Sequence, residues 1–124
     1  MKTFTRKQLM GLAAAAAIGL LPAAAFAHGR LESAVPAAGS TVDTPPETLR
    51  LTFNEDLEPA FSTVKVADAS GAAVGKEKAK VDASNPRVLA ISLPRLSSGS
   101  YSVQWAVMTH DSHKTKGTYT FQVK

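Results

Sequence analysis

The sequence predicts an all-β domain, a seven-stranded Greek-key β-sandwich of immunoglobulin-like type, over residues 28–124. Three observations predict it. From His28 onward no apolar period of helical spacing runs for a useful length. Short stretches instead alternate apolar and polar residues with period two, which marks half-buried strands. Turn residues separate these stretches, as at Ala38-Gly39-Ser40, Ala69-Ser70-Gly71, Asn85-Pro86 and Ser97-Ser98-Gly99. About seven such runs within one small domain is the strand density of a sandwich.

Residues 1–27 stand outside that domain. Lys2, Arg6 and Lys7 form a basic start, Leu9 to Leu21 is apolar, Pro22 breaks the run, and Ala25 and Ala27 are small residues before a cleavage point. This is the pattern of a cleavable secretory signal, too short and wrongly flanked for a membrane anchor. Trimming after Ala27 predicts an exported mature chain of 97 residues, not embedded in the membrane. The formal charge of +4 then falls to +1, with 11 basic against 10 acidic residues. No basic patch suggests nucleic acid. The chain has no cysteine, so packing alone must hold a domain exported to an oxidising compartment.

In chain order, His28 to Ser33 reads as the first strand, closed at Val35-Pro36. Leu49, Leu51 and Phe53 point inward, with Arg50 and Thr52 outward. Asn54 to Pro59 is an acidic loop carrying Glu55, Asp56 and Glu58. Val64 and Val66 mark the next strand. Lys76, Lys78 and Lys80 then alternate with Glu77, Ala79 and Val81. They read as a solvated edge that discourages aggregation, in preference to a basic docking face. Asn85-Pro86 turns the chain into Leu89, Ile91 and Leu93. Tyr101, Val103, Trp105 and Val107 give the strongest alternation, which places Trp105 at the centre of the core. Leu96 to Tyr101 has the form of a tyrosine corner, its phenol bonded back to the preceding loop. Tyr119, Phe121 and Val123 end the chain's inward face.

The candidate chemistry lies in Thr109-His110-Asp111-Ser112-His113 and in distant His28. Residues two apart in extended backbone share a face. Asp111 and His113 therefore project together, and His110 faces away as a bystander. Cleavage after Ala27 makes His28 the first residue, with a free amine beside its ring. An amine, two imidazoles and a carboxylate form an N,N,N,O set that suits a tetragonal Cu(II) ion. The α-amino pKa of about 7.7–8.0 lets copper displace the proton near neutral pH, and the amine closes a chelate ring with Nδ1. The plainer reading leaves the histidines on the surface, Asp111 as a turn carboxylate and Glu55 as a solvated one.

Several segments together carry a family resemblance. They are His28 after the signal, Pro36-Ala37-Ala38-Gly39, Leu51-Thr52-Phe53-Asn54-Glu55, Leu96 to Tyr101, Val103-Gln104-Trp105, Asp111-Ser112-His113 and Gly117 to Phe121. Along essentially the whole mature length, the chain resembles the CopC family of periplasmic copper-binding proteins. The resemblance implies an immunoglobulin- or cupredoxin-like sandwich. It implies Cu(II) held by the amine and ring of His28, by Asp111 and by His113, with Glu55 as an outer or axial group. It further implies delivery to an inner-membrane permease of the CopD kind. Some members also bind Cu(I) through a methionine-rich hairpin, but Ala67 to Val81 contains no methionine here. Met108 alone cannot make a soft cluster, so this chain is expected to bind Cu(II) only.

The expected function is thus a non-enzymatic copper(II) carrier or buffer in copper homeostasis or resistance. One alternative is an oxidative enzyme, because a copper-chelating N-terminal histidine is also the arrangement of polysaccharide monooxygenases. Asp111 filling a coordination position, and the shortage of exposed aromatics for sugar stacking, argue against it. The other alternative is a β-sandwich interaction module with incidental histidines, which a mature N-terminus other than His28 would favour.

Overall fold

The computed structural model describes residues 29–124. His28, and the expected cleavage point before it, lie outside the described residues. Eight strands follow: β1 Leu31–Val35, β2 Thr41–Val42, β3 Thr48–Phe53, β4 Thr63–Asp68, β5 Lys80–Asp82, β6 Asn85–Ser92, β7 Gly99–Met108 and β8 Lys114–Val123. They form two four-stranded sheets, ordered β1-β3-β6-β5 and β2-β8-β7-β4. The predicted sandwich is present, and the alternation builds it. Leu49, Leu51 and Phe53 face Val103, Val107 and Phe121 across the core, all essentially inaccessible to solvent.

The count is eight where seven strands are expected, because Thr41–Val42 adds a short strand that the alternation does not mark. The first strand starts at Leu31 rather than His28, after an irregular Gly29-Arg30, and pairs with β3 through Val35. Pro36 has no N–H to continue the ladder. The chain turns through Ala38-Gly39, where the Gly39 N–H donates to the Thr120 carbonyl at 2.7 Å. Thr41–Val42 then joins the opposite sheet, parallel to β8.

Three smaller expectations change. The turn assigned to Asn85-Pro86 lies at Ala83-Ser84, because Asp82 Oδ1 accepts from both the N–H and the hydroxyl of Ser84 at 2.8 Å. Asn85 and Pro86 open β6 instead. Of the lysine stripe only Lys80 is in a strand, the start of the three-residue edge β5. Lys76 and Lys78 sit exposed on irregular chain. Trp105 lies at the rim of the core, partly buried, with its ring edge-on to Phe53 at 5.1 Å. The reason is its cross-strand partner, Gly117, which has no side chain to cover it. The indole lies so close that a Cβ on Gly117 would stand 2.5 Å from a ring carbon. Phe53 and Phe121 fill the centre instead. The tyrosine corner is present: Tyr101 Oη donates to the Ser97 carbonyl at 2.7 Å.

One end of the sandwich gathers the start of β1, the end of β3, the β5–β6 turn and the β7–β8 hairpin. The acidic loop after β3 closes it. Leu57, buried, bridges antiparallel to Thr109, and its N–H donates to the Pro86 carbonyl at 2.9 Å. The Glu58 N–H donates to the Met108 carbonyl at 2.8 Å, and the His110 N–H to the Asp56 carbonyl at 3.2 Å. The acidic loop and the histidine-bearing hairpin therefore run side by side.

Candidate metal centre

The hairpin register sets the geometry. From Gly99 opposite Val123 to Met108 opposite Lys114, β7 and β8 pair without a shift. That register continues to Thr109, whose N–H donates to the His113 carbonyl at 3.0 Å. Three residues, His110, Asp111 and Ser112, remain to turn the chain. The Ser112 N–H donates to the Thr109 carbonyl at 2.9 Å, and Ser112 takes a φ of 72°. A tight turn closed by a left-handed residue is a standard three-residue hairpin loop. The segment is thus not the extended strand that the two-residue spacing assumes. Asp111 and His113 meet nonetheless, across the turn, with Asp111 Oδ2 3.1 Å from His113 Nδ1.

Asp111 is held from both sides. The buried Thr109 hydroxyl donates to Oδ1, while Oδ2 faces the His113 ring. The Thr109 bond first, and His113 second, bring the Asp111 carboxyl down to about 2, well below its ordinary value. The group is therefore an anion throughout the neutral range. His110 lies on the side of the acidic loop, with its Nε2 3.5 Å from Glu58 Oε1.

The chain start is pinned to the same end. Gly29 is buried, with φ of 40°. Its carbonyl accepts the Thr115 hydroxyl at 2.6 Å, and its N–H points at Glu55 Oε2 at 3.4 Å. The next residue is fixed through Asn54: the Arg30 N–H donates to Asn54 Oδ1 at 2.6 Å, and the Asn54 N–H donates back to the Arg30 carbonyl at 3.1 Å. Glu55, expected as an outer or axial group, here receives the backbone of the residue that follows His28. Thr109, Thr115, Asn54 and Gly29 take roles that the sequence alone does not assign. A signal for the first two exists: they stand at inward positions of strands whose other inward residues are mostly apolar.

One facing pair has a spacing compatible with a shared metal. First-row divalent ions hold nitrogen and oxygen at about 2.0–2.2 Å, so two donors at right angles sit about 3 Å apart. The Asp111–His113 pair already has that spacing. Among the described residues no group of three histidine, aspartate or glutamate side chains could hold a metal ion. Further donors must come from outside those residues, and His28, bonded to the pinned Gly29, is the candidate for that part.

The comparisons with known proteins identify the family. The model of the CopC domain family matches residues 31–124. Protein YobA of Escherichia coli strain K12 is 35% identical over 106 residues, covering 85% of this chain and 86% of its own. The crystal structure of CopC from Methylosinus trichosporium OB3b superposes with a TM-score of 0.74 at 37% identity, over 78% of this chain and 94% of that one. PcoC, described as a methionine-rich copper resistance protein from Escherichia coli, superposes with a TM-score of 0.71 at 35% identity, over 79% of this chain and 100% of its own. Among the described residues no helix is long and apolar enough to cross a membrane. The chain belongs to the CopC domain family.

Proposed function

We propose that this protein is a periplasmic Cu(II) carrier or buffer, exported by a cleaved signal, whose cargo is held by His28, Asp111 and His113. The observation that carries this reading is the pinning of Gly29. Its carbonyl is held by Thr115, two residues past His113, and its nitrogen faces Glu55. That nitrogen is bonded to the carbonyl carbon of His28, so the amine and imidazole of His28 are tethered at the end that carries the Asp111–His113 pair. Asp111 contributes an anionic oxygen, His113 an imidazole, and His28 two nitrogens. Glu55 stays in an outer role, because its carboxylate faces the Gly29 amide.

The donor set favours the divalent ion. It offers nitrogen and oxygen only, and Met108 is the one methionine after residue 27, too little for a soft Cu(I) cluster. PcoC differs from this chain in being described as methionine rich. Both side-chain donors are about half exposed, at 45% for Asp111 and 52% for His113, which suits a site that must pass its ion on. The recipient in this reading is an inner-membrane permease of the CopD kind.

The test starts with the mass of the exported protein, which must correspond to a chain beginning at His28. Competitive Cu(II) titration follows on wild type, His28→Ala and His113→Ala. Each substitution is expected to weaken affinity by orders of magnitude. Wild-type affinity in both variants would end the proposal.

A further inference from the structure

We propose that Thr109 and Thr115 are the positioning residues of the copper site, their hydroxyls fixing its two halves, Asp111 and the Gly29 end, against each other. The inference rests on the proposed copper site and adds two residues that touch no metal.

Packing alone gives no reason for threonine at these positions. The inward faces of β7 and β8 are otherwise Tyr101, Val103, Trp105 and Val107, and Gly117, Tyr119, Phe121 and Val123. Valine has the same shape as threonine and carries no hydroxyl. A buried hydroxyl costs free energy unless it is bonded, and Thr109 is wholly buried. Both hydroxyls spend their single proton toward the site. Thr109 donates to Asp111 Oδ1, with the His113 carbonyl as a longer neighbour at 3.3 Å. Oδ1 is thereby occupied, and Oδ2 is left facing His113 Nδ1. Thr115 donates to the Gly29 carbonyl at 2.6 Å.

The two threonines also touch the same residue. A Cβ placed on Gly29 would stand 2.6 Å from Thr115 Oγ1 and 3.5 Å from Thr109 Cγ2. The chain start therefore seats directly on this pair. One hydroxyl sets which carboxylate oxygen faces the imidazole. The other sets where the peptide carrying His28 enters. Partners that orient metal ligands typically contribute about 10- to 100-fold to metal affinity, and that is the expected size here.

The experiment uses the exported, processed protein and Cu(II) itself. Thr109→Val and Thr115→Val remove each hydroxyl at constant shape, and Thr109→Ser and Thr115→Ser keep it. His113→Ala reports on the copper site itself. Affinity is read by competition, the coordination by the copper EPR spectrum, and apo-protein stability by thermal unfolding. The valine variants are expected to bind about 10- to 100-fold more weakly with an altered spectrum, and the serine variants to restore both. Valine variants with wild-type affinity and spectrum, beside a His113→Ala variant that has lost copper, overturn the positioning role and leave the copper site standing. A loss that serine does not restore overturns it too, since the hydroxyl is then not the cause. Wild-type copper affinity in His113→Ala removes that residue from the site and the inference with it.

Discussion

Gly29→Ala is the sharpest perturbation of the proposed centre, because it alters no donor atom. Gly29 holds φ at 40°, a left-handed conformation that costs an L-residue about 1–2 kcal/mol. The added Cβ would also meet Thr115 Oγ1 at 2.6 Å. Moving that hydroxyl away breaks its bond to the Gly29 carbonyl, a further loss of about 1 kcal/mol. The pinned start is thus disfavoured by about 2–3 kcal/mol. At about 1.4 kcal/mol per tenfold, copper affinity should fall roughly 30- to 150-fold. Apo stability should hardly change, because the chain start can detach while Leu31 onward keeps its pairing with β3. Gly39→Ala is the control. It carries the same kind of backbone penalty, at φ of 76°, with no atom within 4 Å of the new Cβ. It lies in the turn between β1 and β2, so it should lower the apo melting temperature and leave copper affinity intact. The assay is competitive Cu(II) titration with thermal unfolding of both apo proteins. Wild-type affinity in Gly29→Ala, or an equal loss in Gly39→Ala, would show that the pinned Gly29 does not govern copper binding.

Two further predictions concern the scaffold. Gly117→Ala drives a methyl into the Trp105 ring, 2.5 Å from its nearest carbon. It should cost about 1–3 kcal/mol as overpacking and shift the emission of the chain's single tryptophan. Unchanged urea midpoint and emission would contradict the close contact. Arg50 and Asp82 form a 2.8 Å pair between β3 and β5. The Arg50 bond first, with Ser84 behind it, holds the Asp82 carboxyl down at about 2. A depressed carboxyl stabilises the fold above its unfolded value of 3.8, and that contribution disappears as pH falls from there through about 2. Arg50→Gln should raise the Asp82 titration midpoint in carboxyl-detected NMR and move acid unfolding to higher pH. A midpoint that stays put would show that Ser84 alone sets it.

The fold was legible because its strands are long and half-buried. The inward series of β3, β7 and β8 each read correctly from period two, and the tyrosine corner followed from Leu96 to Tyr101. What the pattern could not show is where backbone geometry overrides it. Two residues of β2 carry no period at all. They are placed by the Pro36 break and by the Gly39 bond to β8. Trp105 has the most apolar surface on its strand, yet it sits at the rim, because cross-strand partners are set by register and its partner is a glycine.

The site was half legible for a related reason. Asp111 and His113 are two residues apart, and both an extended strand and this tight turn bring their side chains together. The extended backbone assumed for them was wrong, and the turn that replaces it still places Oδ2 beside Nδ1. Gly29 is more than eighty residues from Thr115, and no local pattern predicts that contact. It follows from topology instead. The start of β1 is fixed by pairing with the end of β3, and the acidic loop leaving β3 is fixed against the β7–β8 hairpin by Leu57 and Thr109. Only when both pairings exist does Glu55 face one side of Gly29 and Thr115 the other. The proposed donors stand out in the sequence by residue type, and the hydroxyls proposed to orient them are hidden among residues whose ordinary work is core packing. That division explains why His28, Asp111 and His113 could be proposed from type and spacing, whereas Thr109 and Thr115 required the folded chain.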